Sequence, residues 1–337
     1  MAVRKHVLFF CVLCLLVFAA CGKAPAAEAV IDAPAGSLPG FLRSLSQIND
    51  YPFYAAEYSG DYQFDAYLES GRYPGQTIAY TSQPAFACSC FYAGGDTPVY
   101  GRNFDWYEHP AMLLVARPDN GYASISMVDI SYLGYDKETT PLDHPQDLFY
   151  APYYPFDGIN ELGLAVGMMA VGHAEGGTNA DKITIGSLEA IRLMLDYAAD
   201  VPQAIELLRR YNLDFGSVPV HYLIADARGN SAVIEYLNGE IVVIEGKHPW
   251  QVSTNFIISE VQPRGADSPS GRYNRLEEAL TEAQGGVSAE TSMELLAGVS
   301  QSGETGTRWS AVYDMRALSV TVAIDRDYKN LYTFPLE

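Results

Sequence analysis

Cys88 opens the run Cys88-Ser89-Cys90-Phe91-Tyr92-Ala93, which a Gly-rich turn joins to Val99-Tyr100-Gly101-Arg102-Asn103-Phe104-Asp105-Trp106. A thiol attacks as its thiolate, so a reactive cysteine needs positive charge or a base beside it. Read as a hairpin with the loop Gly94–Pro98, the run pairs Ala93 with Val99, Cys90 with Arg102 and Cys88 with Phe104. Directly opposed residues share a face. Cys88, Cys90 and Arg102 therefore stand on one side of the sheet. Asp105 has the opposite parity, and reaches the backbone nitrogen of residue 88 at the strand end or turns in through a bulge. The chemistry this permits is acyl transfer to sulfur. Spacing alone equally permits a plain hairpin with a surface Arg–Asp pair and two buried cysteines.

The elements that must position these residues are mostly strands. Short β-type runs bounded by Gly, Asp and Asn occur at Val99–Tyr100, Ala123–Val128, Leu164–Val171, Tyr222–Ala225, Ala232–Tyr236 and Ile241–Ile244. Arg228-Gly229-Asn230 and Asn238-Gly239 are turn signals, the second suited to a hairpin. Leu188 to Asn212 has helical spacing interrupted at Pro202. Arg272 to Gln284 is a second helix, and Ser292–Val299 a candidate third. The chain then returns to strands at Ala311–Asp314, Ser319–Ile324 and Leu331–Phe334. Upstream, Leu38 to Ile48 reads as a short helix, and residues 51–80 fit short strands or a loose helix. Strands on both sides of a helical block predict an α+β layered architecture.

The N-terminus predicts export. Arg4 and Lys5 precede an apolar stretch from Val7 to Ala20, too short to span a bilayer comfortably and typical of a signal peptide. It ends in Val17-Phe18-Ala19-Ala20-Cys21, which resembles a bacterial lipobox. The expectation is cleavage of residues 1–20, lipid on Cys21, and attachment to the extracytoplasmic face of a bacterial cell membrane. The alternative is an ordinary signal peptide cut further on. Residues 22–36, rich in Ala, Pro and Gly, read as a tether.

Composition narrows the partners. The 337 residues carry 41 acidic and 21 basic side chains, for a formal charge of −20. Nucleic acid and anionic lipid surfaces are poor partners for such a chain. Of its five cysteines, Cys11 and Cys14 lie in the leader, leaving Cys21, Cys88 and Cys90. With Cys21 lipidated, no disulfide framework is expected from two cysteines two residues apart. The six histidines show no metal-binding spacing such as H-E-x-x-H.

The run CSCFYA…VYGRNFDW resembles the N-terminal signature of the cysteine-type N-terminal-nucleophile amidases. That group holds choloylglycine hydrolase, penicillin V acylase, acyl-CoA:6-aminopenicillanate acyltransferase and N-acylethanolamine amidase. Further matches follow in order: Asp157-Gly158-Ile159-Asn160-Glu161-Leu162-Gly163-Leu164, His221 to Asp226 with Gly229 and Glu235, Ser253-Thr254-Asn255-Phe256, Arg272-Tyr273-Asn274-Arg275, and Thr307 to Asp314. Each is weak alone; six in order over residues 88–337 are specific.

The resemblance implies a four-layer αββα sandwich with antiparallel sheets. It implies cleavage of the Ala87–Cys88 bond, so that Cys88 becomes an N-terminus whose own α-amine is the general base. By transfer, Arg102 favours the thiolate, Asp105 accepts from the α-amine, Asn255 donates to the tetrahedral oxyanion and Arg272 ties the charge network together. The substrate would be a small N-acyl amide, with no metal or organic cofactor. Residues 21–87 become a lipid-anchored tether and prosegment, which either leaves or stays docked, and 88–337 the catalytic domain. Acyl transfer to another amine, or a lipoprotein binding module that keeps the fold without cleaving, are the alternatives.

Several assignments stay open on the residues. Cys90 shares the face of Cys88 and is the rival nucleophile; the family pattern favours Cys88. Arg275 competes with Arg272. Asp157 and Asn160 read as turn formers. Trp106 and Tyr107 fit an acyl pocket or plain core packing. One departure is that bile-salt and penicillin V hydrolases carry an Asn or Tyr where Ala170 falls here, so a second oxyanion donor must be a backbone N–H.

Overall fold

A computed structural model describes residues 38–73, 88–261 and 268–336. The leader, the lipobox at Cys21, the tether and Ala87 lie outside the described residues. The chain enters through α1 (Leu38–Ser44), β1 (Ser46–Asn49), β2 (Phe53–Ser59) and α2 (Phe64–Ser70). Then come β3 (Ser89–Ala93), β4 (Val99–Asp105), β5 (Ala111–Arg117), β6 (Ser124–Asp129), β7 (Pro155–Asn160) and β8 (Leu164–Ala170). The middle holds β9 (Thr184–Gly186), α3 (Ser187–Tyr197), α4 (Val201–Leu208) and β10 (Asn212–Asp214). Next are β11 (Val220–Asp226), β12 (Ser231–Leu237), β13 (Glu240–Glu245), β14 (Trp250–Ser253), α5 (Ile258–Val261), α6 (Gly271–Glu282) and α7 (Ala289–Gly298). The chain closes with β15 (Thr307–Asp314), β16 (Ser319–Ile324) and β17 (Tyr332–Pro335).

Two large sheets face each other. One has the order β1-β2-β5-β6-β7-β8-β11-β12-β13, the other β14-β3-β4-β15-β16-β17. Pairing within them is antiparallel except between β2 and β5. Helices α3 and α4 pack on the first sheet, and α6 and α7 on the second. This is the α+β, αββα layering expected.

Side-chain alternation explains the layers. On β3, Cys90 and Tyr92 join the core between the sheets, while Phe91 and Ala93 join a separate cluster under α6 and α7 with Leu276, Leu280 and Leu296. The sheets approach closely at Gly167 on β8. A Cβ there would stand 2.9 Å from the Tyr100 hydroxyl, 3.2 Å from an Arg102 nitrogen and 3.2 Å from the Cys90 sulfur. The hairpin at Asn238-Gly239 forms as expected: Leu237 pairs with Glu240, and both turn residues have positive φ, 53° and 78°.

Three expectations change. The helix from Leu38 ends at Ser44, whose hydroxyl bonds the Phe41 carbonyl, and Ser46–Asn49 is a strand paired with β2. Asp157 to Asn160 lie inside β7, not in the turn. Asn160 still governs the turn that follows: its Oδ1 accepts from the Leu162 and Leu164 amides, and its Nδ2 donates to the Leu195 and Ala198 carbonyls. Finally, β5 had no counterpart in the strand reading. Its Ala-Met-Leu-Leu-Val-Ala run is apolar on both faces and shows no period of two.

The segment upstream of Cys88 is built into this body. β2 lies within the first sheet and pairs with β5 in parallel from Phe53↔Ala111 to Ser59↔Arg117. Phe53, Tyr54, Tyr58, Tyr62, Phe64 and Tyr67 are all buried. The Tyr62 hydroxyl donates to Asp196, whose other oxygen accepts from Arg192 at 2.9 Å.

Candidate active site

The hairpin β3–β4 has the expected register, with Cys90 opposite Arg102 and Ala93 opposite Val99. Cys88 sits one residue before β3 and is buried. Arg102 points between the sheets and is fully buried. Its Nη2 lies 3.9 Å from the Cys88 sulfur and its Nη1 3.6 Å from the Cys90 sulfur. Nη1 also donates to the Met168 carbonyl on the facing sheet. One guanidinium thus stands over both thiols. Burial pushes both thiols up, Cys90 to about 11, and Arg102 is the main opposing influence on each.

Arg102 is itself held by Asp157. Its Nε lies 2.7 Å from Asp157 Oδ2, with neither side chain exposed. Trp309 Nε1 donates to the same oxygen at 3.0 Å, and the Tyr313 hydroxyl to the other. Three strands, β4, β7 and β15, meet in this cluster. The turn role suggested for Asp157 is therefore replaced by a buried counter-ion role. The cue was that Asp157 opens a segment resembling a family motif, far from Cys88, but its partner could not be read from spacing.

Asp105 ends β4 and is fully buried. The β4–β15 register slips between Thr307 and Trp309, so the irregularity lies on the partner strand. Thr307 Oγ1 donates to Asp105 Oδ1 at 2.5 Å. Asp105 Oδ2 has no hydrogen-bond partner among the described residues, and Arg272 Nη1 is 3.8 Å away. Burial raises the Asp105 carboxyl to about 7, against the pull of Thr307, Arg272 and Arg102. The Asp105 backbone N–H bonds the Cys88 sulfur and favours its thiolate.

Asn255 and Arg272 arrive from far along the chain. Asn255 Oδ1 accepts from the Cys88 backbone N–H at 2.6 Å and from Arg272 Nη2 at 2.8 Å. Its Nδ2 donates to the Ala170 carbonyl at 2.7 Å. In the uninterrupted chain, then, the partner of the Cys88 nitrogen is Asn255, where Asp105 was expected. Arg272, in the first turn of α6, also reaches the Cys88 carbonyl at 2.5 Å and Ser89 Oγ at 2.6 Å. Arg275 lies one turn further on, is exposed, and bonds the Gly298 carbonyl at 3.3 Å.

The loop carrying Asn255 is fixed by His221 and Glu235, neither of which was assigned a role from sequence. His221 Nε2 lies 2.8 Å from the Thr254 carbonyl and 3.1 Å from Ser253 Oγ. Glu235 accepts from the Ile258 amide at 2.6 Å and from Ser259 Oγ at 2.5 Å, and lies 3.5 Å from His221 Nδ1. Burial acts to raise the Glu235 carboxyl, but its bonds to His221 and Ser259 outweigh that and hold it low.

Two cavities adjoin this cluster. A cleft of about 510 Å³ is lined by Asn255, Arg272 and Arg275 among others. A second cavity of about 390 Å³ is mainly apolar, with Tyr132, Met168, Leu188, Phe215 and Val220 in its walls and Glu189 at one side. Burial raises Glu189 to about 8. Trp106 stacks on Phe104 and lines neither cavity.

The family model "Linear amide C-N hydrolases, choloylglycine hydrolase family" matches residues 93–256. Penicillin V acylase from Agrobacterium tumefaciens superposes with a TM-score of 0.55 at 17% identity, over 74% of this chain and 86% of that one. Two variant structures of conjugated bile acid hydrolase from Clostridium perfringens give TM-scores of 0.55 and 0.53 at 14% and 12% identity, each over 74% of this chain and 92% of theirs. No curated protein matches by sequence. Residues 93–256 thus match the choloylglycine hydrolase family of linear amide C–N hydrolases by sequence, and the fold is similar to that of the penicillin V acylase and conjugated bile acid hydrolase structures.

Proposed function

We propose that the protein is an amidase that hydrolyses N-acyl amides through Cys88, after cleaving its own Ala87–Cys88 bond. The observation that carries this reading is the convergence on Cys88. Its sulfur faces Arg102, its nitrogen faces Asn255, and its carbonyl is held by Arg272. In the maturation step the Cys88 sulfur attacks the Ala87 carbonyl carbon, and the Ala87–Cys88 amide bond breaks. Water then hydrolyses the resulting thioester, leaving a carboxylate on Ala87 and a free amine and thiol on Cys88.

In turnover the α-amine takes the thiol proton, and sulfur attacks the acyl carbon of the substrate. The ammonium so formed returns that proton to the leaving nitrogen. Water completes the cycle by cleaving the acyl-thioester. The unpartnered, buried oxygen of Asp105 is suited to accept from that ammonium. Arg102 offsets part of the desolvation of the thiolate. Asn255 serves the oxyanion once its bond to Ala170 is exchanged for one to the substrate, with a backbone N–H as second donor.

The apolar cavity supports an acyl specificity. Met168 lines it, and the Met168 carbonyl is bound by Arg102. The upstream segment stays docked after cleavage, because β2 is an interior strand of the first sheet. The lipobox at Cys21 supports export and lipid anchoring, with the lipid carried on the docked segment. Among the described residues no helix is long and apolar enough to cross a membrane. N-terminal sequencing and intact mass of the purified protein test the reading. A new N-terminus at Cys88 is expected; a chain continuous through residue 88 that still hydrolyses amides would overturn it.

A further inference from the structure

Ser253, His221 and Glu235 stand in a row that resembles a nucleophilic triad. His221 Nε2 is 3.1 Å from Ser253 Oγ, and His221 Nδ1 is 3.5 Å from Glu235 Oε1. All three residues are fully buried, so no acyl carbon reaches Ser253. A triad also needs a bare Nε2 to take the serine proton. Here Nε2 lies 2.8 Å from the Thr254 carbonyl, which only accepts. The row is therefore no second hydrolytic site, and its purpose lies in the chain it holds.

That chain is the loop carrying Asn255. His221 is on β11 and Glu235 on β12, and the register that pairs Tyr222 with Ile234 sets them opposite each other on one face. His221 holds the Thr254 carbonyl, which belongs to the peptide entering Asn255. Glu235 accepts from the Ile258 amide at 2.6 Å and the Ser259 amide at 3.2 Å, on the far side of Asn255. One buried pair thus grips the loop at both ends. Between the grips, the Asn255 side chain reaches the Cys88 nitrogen and the Ala170 carbonyl.

The protons follow from the partners. Both ring nitrogens of His221 face acceptors, the Thr254 carbonyl on one side and the Glu235 carboxylate on the other. A neutral imidazole has one donor and one acceptor nitrogen, so either tautomer would turn a lone pair on an acceptor. Glu235 faces the ring ionised: burial works to raise its carboxyl, but the bonds from His221 and Ser259 hold it low. A buried carboxylate needs a buried cation, and among the described residues His221 is the basic group within ion-pair distance of it.

We infer that His221 is a doubly protonated imidazolium ion-paired with Glu235, and that this pair positions Asn255 for the oxyanion. The second half rests on Cys88 being the nucleophile and Asn255 the oxyanion donor. His221 and Glu235 touch no reacting atom and act through the loop, so both are positioning residues.

Long-range proton–nitrogen correlation NMR of the histidine-labelled Cys88→Ala protein reads the protons directly. At neutral pH both nitrogens of His221, assigned through contacts with Ser253 and Thr254, should carry hydrogen. His221→Gln keeps a donor for the Thr254 carbonyl and removes the charge. In the matured enzyme it should lower kcat about 10- to 100-fold with KM little changed, since a misplaced oxyanion donor is missed only in the transition state. Glu235→Gln should do the same, and should leave His221 as the neutral tautomer with hydrogen on Nε2. A neutral His221 in the Cys88→Ala protein would overturn the inference. So would a charged His221 with kcat unmoved in both variants, which leaves the amidase reading standing. If the parent turns over no amide, the amidase reading fails by itself, and the Asn255 side-chain amide signal decides the clamp: displaced in Glu235→Gln upholds it, unmoved overturns it.

Discussion

Asp157 Oδ2 lies 2.7 Å from Arg102 Nε between the two sheets, and both side chains are completely buried. The carboxylate also accepts from Trp309 and Tyr313, so all its partners are donors. Removing one member of such a pair leaves an uncompensated charge, at a cost of about 3–5 kcal/mol. Asp157→Asn should destabilise the protein by roughly that amount in urea unfolding at pH 7. The same variant should slow alkylation of Cys88, because Arg102 loses the contact that aims it. A loss under about 1 kcal/mol would mean that Asp157 is not the counter-ion.

Asn255 accepts from Cys88 N and donates to Ala170 in the uninterrupted chain. Its replacement should therefore affect two steps. Asn255→Ala should slow maturation, seen as persistence of the full-length band after expression. In whatever fraction matures, kcat for amide hydrolysis should fall roughly 100- to 1000-fold, the usual cost of losing an oxyanion donor. Unchanged kcat in the matured fraction would remove Asn255 from the chemistry.

How legible was this site beforehand? The Cys88 hairpin was fully readable, because a turn signal fixes register and register fixes which residues share a face. Asn238-Gly239 worked for the same reason. The β5 strand was not readable, since a strand buried on both faces has no alternation. The Asp157–Arg102 pair was invisible because it joins strands of two different sheets, and nothing local specifies which strands will face each other. His221 and Glu235 were visible only as parts of a family-like segment; what they do depends on a loop more than thirty residues further along for His221 and about twenty for Glu235. Asn255 and Arg272 were assigned through family resemblance, and their own spacing from Cys88 carries no signal.

Asp105 supplies a pH signature. Burial raises its carboxyl to about 7 from an ordinary value of 3.8. The native state therefore holds the proton more tightly than the unfolded chain. The stability this brings is fully present below about pH 4 and is lost as pH rises through about 7. Glu189, raised to about 8, overlaps this window, so the informative quantity is a difference. Asp105→Asn in the Cys88→Ala background should flatten the fall in unfolding free energy between pH 4 and 7 by up to about 4 kcal/mol. In the matured enzyme the Cys88 ammonium should pull Asp105 back down. The acid limb of kcat/KM should then fall below pH 7.

Tyr62 ties the upstream segment to the core through its bond to Asp196, and Arg192 completes the cluster beneath it. If the segment remains after cleavage, the two pieces should co-elute in 1 M NaCl, because the contact is mainly apolar and strand-paired. Tyr62→Phe removes the donor and leaves a buried carboxylate oxygen unsatisfied, at a cost of about 1–3 kcal/mol. The cleaved variant should release its upstream piece at lower urea than the parent. Separation of the parent pieces by salt alone would show that the segment is dispensable to the fold.

Cys88 and Cys90 share Arg102, and separate substitutions distinguish their roles. Cys90 is wholly buried beside Gly167, where the facing sheet leaves no room for an incoming carbonyl. Cys88 lies before the strand begins, next to the Asn255 cleft. Cys88→Ala should neither mature nor turn over substrate. Cys90→Ala should do both, with a stability loss of about 1 kcal/mol for the small cavity left by the sulfur. One equivalent of an alkylating reagent should inactivate the parent and label Cys88, since the Cys90 sulfur is closed in by Gly167 of the facing sheet. Label found on Cys90 at neutral pH, with activity lost in Cys90→Ala, would transfer the nucleophile's role to the second thiol.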